Sequence, residues 1–222
     1  MTITAPTTGR DRAVVTTRGG QAALLLAGLA FVVYPVVRPY SDEASLAGAQ
    51  AFASGAWVVA HLSAVIGLIL LPLGLLALRS ALGRSRTAGA AFLATWLGVG
   101  LVLPYYGAEV FALHATGERM VATGDLGLLG LVDAIRNGPV QITAFGTGLV
   151  LIAVGTVLAA VAVWRSNVLA RWAAVPLAAA FVLFLPQFYA APSLRIAHGV
   201  LVGIACVTLA VQLRRATPRL AA

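Results

Sequence analysis

The sequence contains no lysine and one cysteine, and only seven of its 222 residues are acidic. A single cysteine, Cys206, can neither close an intramolecular disulfide nor build a cysteine-based metal cluster. With 10% charged and 60% hydrophobic residues, the chain lacks the polar surface of an ordinary soluble domain. A phosphate-binding loop, a dinucleotide fingerprint, an Asp-rich diphosphate motif, a HExxH pair and a catalytic Ser triad are also missing. These absences argue against an ATP-driven pump and a metal–diphosphate prenyltransferase, and no metal site is assigned.

What the sequence does have is apolar length. Six stretches approach the roughly 20 residues needed to cross hydrocarbon: Gln21–Val37, Gly55–Leu78, Ala88–Leu113, Val140–Trp164, Trp172–Ala190 and Leu194–Leu213. They predict an all-α integral membrane protein with one six-helix transmembrane domain over residues 21–213. Residues 1–20, rich in Thr and Arg, read as a disordered cytoplasmic tail, and residues 214–222 as a short C-terminal one. A cleaved signal ending at Ala49-Gln50-Ala51 fits poorly, because Arg38, Asp42 and Glu43 lie between the apolar run and that site.

The net charge of +8 does not point to nucleic acid, because its distribution follows the predicted spans. Eleven arginines (10, 12, 18, 79, 84, 86, 165, 171, 214, 215 and 219) fall on one side of a six-helix arrangement; Arg38, Arg119, Arg136 and Arg195 fall on the other. Arginine-rich loops stay inside, so both termini are expected in the cytoplasm of a cell-membrane protein whose first partner is the bilayer. Of the acidic residues, only Asp11 lies on the arginine-rich side.

The outward-going stretches end alike, in FVVYP, LVLPYY and LFLPQFY. The second and fourth stretches align from Gly67 and Gly148, each with another glycine seven residues on and each closing in Arg-Ser. The pattern fits three related helical hairpins. Between the third and fourth stretches, DLGLLGLVDAIR is apolar at Leu126, Leu128, Leu129, Leu131, Val132 and Ile135, with Asp125 as N-cap and Asn137-Gly138-Pro139 as stop. This is a short interfacial helix: a lid over the outer face, or a filler between its neighbours.

Nearly every polar residue inside the apolar stretches falls near the outer end, and polar groups at membrane depth face a cavity or a partner by default. Glu109 is the one carboxylate embedded in a stretch, with Tyr105 one turn earlier. A carboxyl taken out of water favours its neutral form, from which it can donate a proton. Glu109, Tyr105 and His61 are therefore the candidate catalytic residues. Tyr34, Trp57, Tyr106, Gln187, Tyr189, Arg195 and His198 are candidates for lining a lipophilic substrate pocket, where aromatic faces stabilise cationic centres. His61 and His198, on different helices at similar depth, form the alternative of a bis-His haem; otherwise no cofactor is expected.

In size, helical layout and the pairing of an intramembrane carboxylate with aromatics, as in the Tyr105–Glu109 run YYGAE, the chain resembles small bacterial transmembrane terpene cyclases. The resemblance implies an isomerase or lyase of a biosynthetic pathway, which protonates an olefin or epoxide and closes a prenyl chain into rings. It also implies a second acid, for which Asp42 or Glu43 would have to fold in. A small transporter or accessory membrane protein is the competing class, supported by the hairpin pattern.

Overall fold

In a bilayer every backbone N–H and C=O must find its partner inside the protein, so apolar runs of this length form helices. The computed structural model describes the backbone of residues 9–221 and the side chains of residues 17–216, and all regular structure among them is helical. Helix α1 spans Gly9–Val37, α2 Leu46–Phe52, α3 Gly55–Ala81 and α4 Arg86–Gly107. A π-turn at Ala108–Ala112 joins α4 to α5, Leu113–Thr123. Then come α6, Leu129–Asn137; α7, Pro139–Ser166; α8, Val175–Val182; and α9, Pro192–Ala221.

Five helical segments are long and apolar enough to cross a membrane: Thr17–Val37, Gly55–Ala81, Arg86–Thr123, Pro139–Ser166 and Pro192–Ala216. That is the pattern of a multi-pass membrane protein. Large apolar side chains such as Leu29, Ile66, Trp96 and Val150 point outward from the bundle, as lipid-facing residues do.

The stretch Trp172–Ala190 departs from the single long helix expected of it. Pro186 has no N–H to offer the carbonyl of Val182, and its ring crowds that carbonyl. Helix α8 accordingly stops at Val182, Phe184 bonds three residues back to Phe181, and Pro186–Tyr189 continues as a 3₁₀ turn. In the same way, Arg86–Thr123 runs about three turns beyond the predicted end at Leu113. Helix α2 was not expected at all. Helices α1 and α9 reach into the stretches read as tails, and residues 1–8 lie outside the described residues.

Between helices in lipid, close packing replaces the hydrophobic effect as the cohesive force, and small residues permit it. Gly98 of α4 and Gly148 of α7 face each other so closely that a Cβ on either would lie 2.6–2.7 Å from the other's carbonyl oxygen. Gly28 of α1 meets Gly203 of α9, and Gly199 meets Pro35, so the Gly199–Gly203 pair packs inside the bundle. These contacts, with Gly67 against Phe31, make α1 antiparallel to α3 and α9, and α4 antiparallel to α7. Helices α7 and α9 thus run in the same direction, and residues 167–191 lead back from the arginine-rich end to the other.

That other end carries a separate small core. Ala49 and Phe52 of α2, Trp57, Leu113, Met120 and Val132 are buried together, with Leu128, Leu129 and Ile135 packed on them. Of the apolar positions read from the sequence, Leu128, Leu129, Val132 and Ile135 thus dock this segment onto α2 and α5, whereas Leu126 and Leu131 are exposed. This cap covers the end of the bundle where the polar residues lie.

Candidate functional site

The site begins with a fault in a helix. In the π-turn the N–H of Leu113 donates to Ala108 O, five residues back, rather than to Glu109 O. The indole Nε1 of Trp57 donates to that Glu109 carbonyl at 2.7 Å, a buried bond that ties α3 to the π-turn. Such turns insert one extra residue and concentrate at functional sites. Here the insertion turns the Glu109 side chain toward the cap.

Glu109 is buried and held by a two-pronged ion pair: Arg136 of α6 donates from Nε to Oε1 and from Nη2 to Oε2, both at 2.7 Å. Arg136 also donates from Nη1 to Glu43 Oε2, and Arg38 from Nη2 to Glu43 Oε1, each at 2.5 Å. Four charges alternate in one chain, Arg38–Glu43–Arg136–Glu109. The cation on Glu109 is Arg136, not Arg195. Its pairing favours the carboxylate while burial of the same group favours the neutral acid expected from the sequence, so the two effects oppose each other at this carboxyl.

His61 completes this corner. Its Nδ1 is 2.8 Å from Trp57 O, and because a carbonyl only accepts, Nδ1 carries the proton. The other nitrogen, Nε2, looks toward Glu109 Oε2 at 3.8 Å, too far for a direct hydrogen bond. The guanidinium groups of Arg38 and Arg136 both approach the Trp57 ring, 4.9 and 5.5 Å from its centroid.

Beside the ion chain opens a cavity of about 490 Å³. Of the residues singled out in the sequence, Tyr34, His61, Tyr105, Tyr106, Glu109, Tyr189 and Arg195 line it, together with Arg38, Glu43, Arg136, Phe145 and Phe188. Tyr105 stacks on Phe145 with centroids 4.2 Å apart, and Phe145 meets Phe188 at 5.7 Å, giving one aromatic wall. Tyr189 stands at the rim and is largely exposed. Trp57 is behind the wall. Gln187 and His198 line an adjoining narrow cleft with Pro35 and Tyr40, which borders the cavity along Tyr34, Arg38 and Arg195, and His198 Nε2 donates to Ala180 O at 2.8 Å. His61 and His198 therefore do not share a cavity, which leaves the bis-His haem without a common site. Among the described residues no three His, Cys, Asp or Glu side chains are grouped to hold a metal ion.

Sequence reasoning missed Arg136 as a site residue and left the second acid open between Asp42 and Glu43. Asp42 instead accepts from the backbone of Ala44 at the surface. The signal for Arg136 was present, since it is the sole basic residue of the amphipathic helix α6. Comparison with known protein families, with curated proteins and with solved structures found no match to this chain. The functional reading therefore rests on the site itself.

The ion chain has a pH signature. Burial pushes the Glu43 carboxyl up, but Arg136 and then Arg38 outweigh it and hold it below its ordinary value of 4.5. Arg136, opposed by burial and favoured by Glu109 and Glu43, is held more firmly protonated than usual. A carboxyl lowered in the folded state contributes stability that is fully present above its unfolded value and is lost as pH falls through the folded one. The melting temperature of the wild type should thus exceed that of Glu43→Gln at neutral pH, and the gap should close as pH drops below 4.5. A gap independent of pH from 3 to 7 would show that Glu43 adds no charge-linked stability.

Proposed function

We propose that this chain is a multi-pass membrane enzyme that receives a lipophilic, prenyl-like substrate in the outer-half cavity and rearranges it by proton transfer. The observation that carries the reading is a buried carboxyl at a π-turn, paired with an arginine on a separate cap helix and lining an aromatic-walled cavity. The layout resemblance to transmembrane terpene cyclases supports it, as does the presence of Glu43 beside Glu109.

Helix α6 lifts as substrate enters, and Arg136 leaves Glu109. A buried carboxylate stripped of its cation is stabilised by taking up a proton. The resulting acid gives its proton to one carbon of an olefin, whose π pair forms the new C–H bond. The adjacent carbon is left cationic, and the faces of Tyr34, Tyr105, Tyr106 and Phe145 stabilise it. A second double bond closes on that cation to form a C–C bond, and a neighbouring C–H returns a proton to a carboxylate, Glu109 or Glu43. The sum is an isomerisation that needs no oxidant or cofactor. His61 Nε2, beside Oε2, is suited to relay the proton to Glu109.

Turnover in deuterium oxide tests the reaction type. Membranes containing the protein, supplied with a linear polyprenyl alcohol, should yield a cyclic or shifted-double-bond product carrying one deuterium per molecule. Product without deuterium would exclude proton-initiated chemistry.

The reading includes six passages with both termini cytoplasmic, supported by the arginine asymmetry and by the parallel course of α7 and α9. The broken segment around α8 would be the fifth passage. Reporter fusions after Arg86 and Asn167 should report from the cytoplasm, and those at Gly124 and Ala190 from outside. A cytoplasmic signal at Ala190 would leave only four passages before it and overturn this arrangement.

The transporter reading is favoured by one feature, the ion chain linking the loop after α1, the π-turn and α6, which could serve as a gate. It predicts transport without chemical change of the substrate.

A further inference from the structure

The charges on the cavity wall do not balance. Glu43 and Glu109 are matched by Arg38 and Arg136, and Arg195 is left over. Among the described residues, no carboxylate is within ion-pair distance of it. Its guanidinium rests on the faces of Tyr40 and Phe188, 5.4 and 5.7 Å from their centroids. Arg195 also sits in the first turn of α9, where the helix dipole disfavours a cation. An unmatched arginine at the positive end of a long helix concentrates positive potential on one side of the cavity.

The rest of the wall is apolar. Tyr105, Phe145 and Phe188 form a continuous aromatic face on the cavity that Arg195 also lines.

We infer that the cavity binds an amphiphile with one singly charged oxyanion, whose head is taken by Arg195 and whose apolar body lies along Tyr105, Phe145 and Phe188. One negative charge cancels the surplus. This rests on the cavity being the substrate site and narrows the substrate class to acid-bearing lipophiles.

Radiolabelled palmitate and uncharged hexadecanol, binding to the detergent-solubilised full chain, test the inference without turnover. Palmitate should bind about tenfold or more tightly than hexadecanol, a difference of about 1.4 kcal/mol. Arg195→Gln should bring the two affinities together by weakening palmitate alone, and Arg195→Lys should restore part of the preference. Equal binding of the two probes by the wild type, or an unchanged preference in Arg195→Gln, would overturn the inference. Displacement of palmitate by acetate at similar concentration would overturn the apolar part, leaving a free-anion site. A palmitate preference in a protein whose turnover ignores Glu109 would remove the catalytic reading alone; Glu109-dependent turnover with no preference would remove this inference alone.

Discussion

Glu109→Gln is expected to abolish turnover, by about 10²–10⁴-fold, the usual contribution of a positioned acid. The amide keeps the shape and can accept one hydrogen bond from Arg136 but has no proton to transfer. Glu109→Asp, with a shorter reach, should retain a little activity. The Gln variant should still insert, since Arg136 keeps Glu43 as a partner. Full activity on the true substrate would leave Glu109 a structural ion-pair member and end the acid mechanism. The deuterium experiment separates the cases, because a residual slow reaction through Glu109→Asp should still label the product.

Arg136→Met is expected to produce the largest loss of stability. It strands Glu109, whose side chain is only 7% exposed, without a cation. Removing one partner of a buried pair typically costs about 3–5 kcal/mol, more than the pair itself contributes. The cap should loosen first, so limited proteolysis should cut between Thr123 and Pro139 well before the bundle melts. Adding Glu109→Gln to Arg136→Met removes the stranded charge and should recover much of the loss. Strictly additive effects in that double-variant cycle would mean that the two side chains do not act as a pair.

The bundle was legible because long apolar runs admit few alternatives in lipid. The amphipathic stretch 126–136 was legible because its apolar period is that of a helix docked on one face. The broken course near Pro186 was harder to read: hydropathy registers apolar length and is blind to a missing N–H. The common location of Tyr34, His61, Tyr105, Glu109 and Arg195 followed from depth alone. Depth could not separate Gln187 and His198, which share that level but face another cleft. Arg136 was missed because its partners lie 27 and 93 residues away, in the π-turn and in the loop after α1, and no local pattern encodes such a meeting.

The π-turn at Ala108–Ala112 also sets the relation between the shaft of the bundle and its cap. An α-helix advances about 100° per residue, so one residue more or less rotates everything beyond it by that angle. Losing one residue here would restore regular bonding and look harmless in the chain. Yet α5 would swing, carrying Leu113, Gly117 and Met120 off the face of α2, where Gly117 lies against the backbone of Ala53. The extra residue thus acts as a phase shifter between two helical registers, and lineages in which it was gained or lost would have to rebuild the cap.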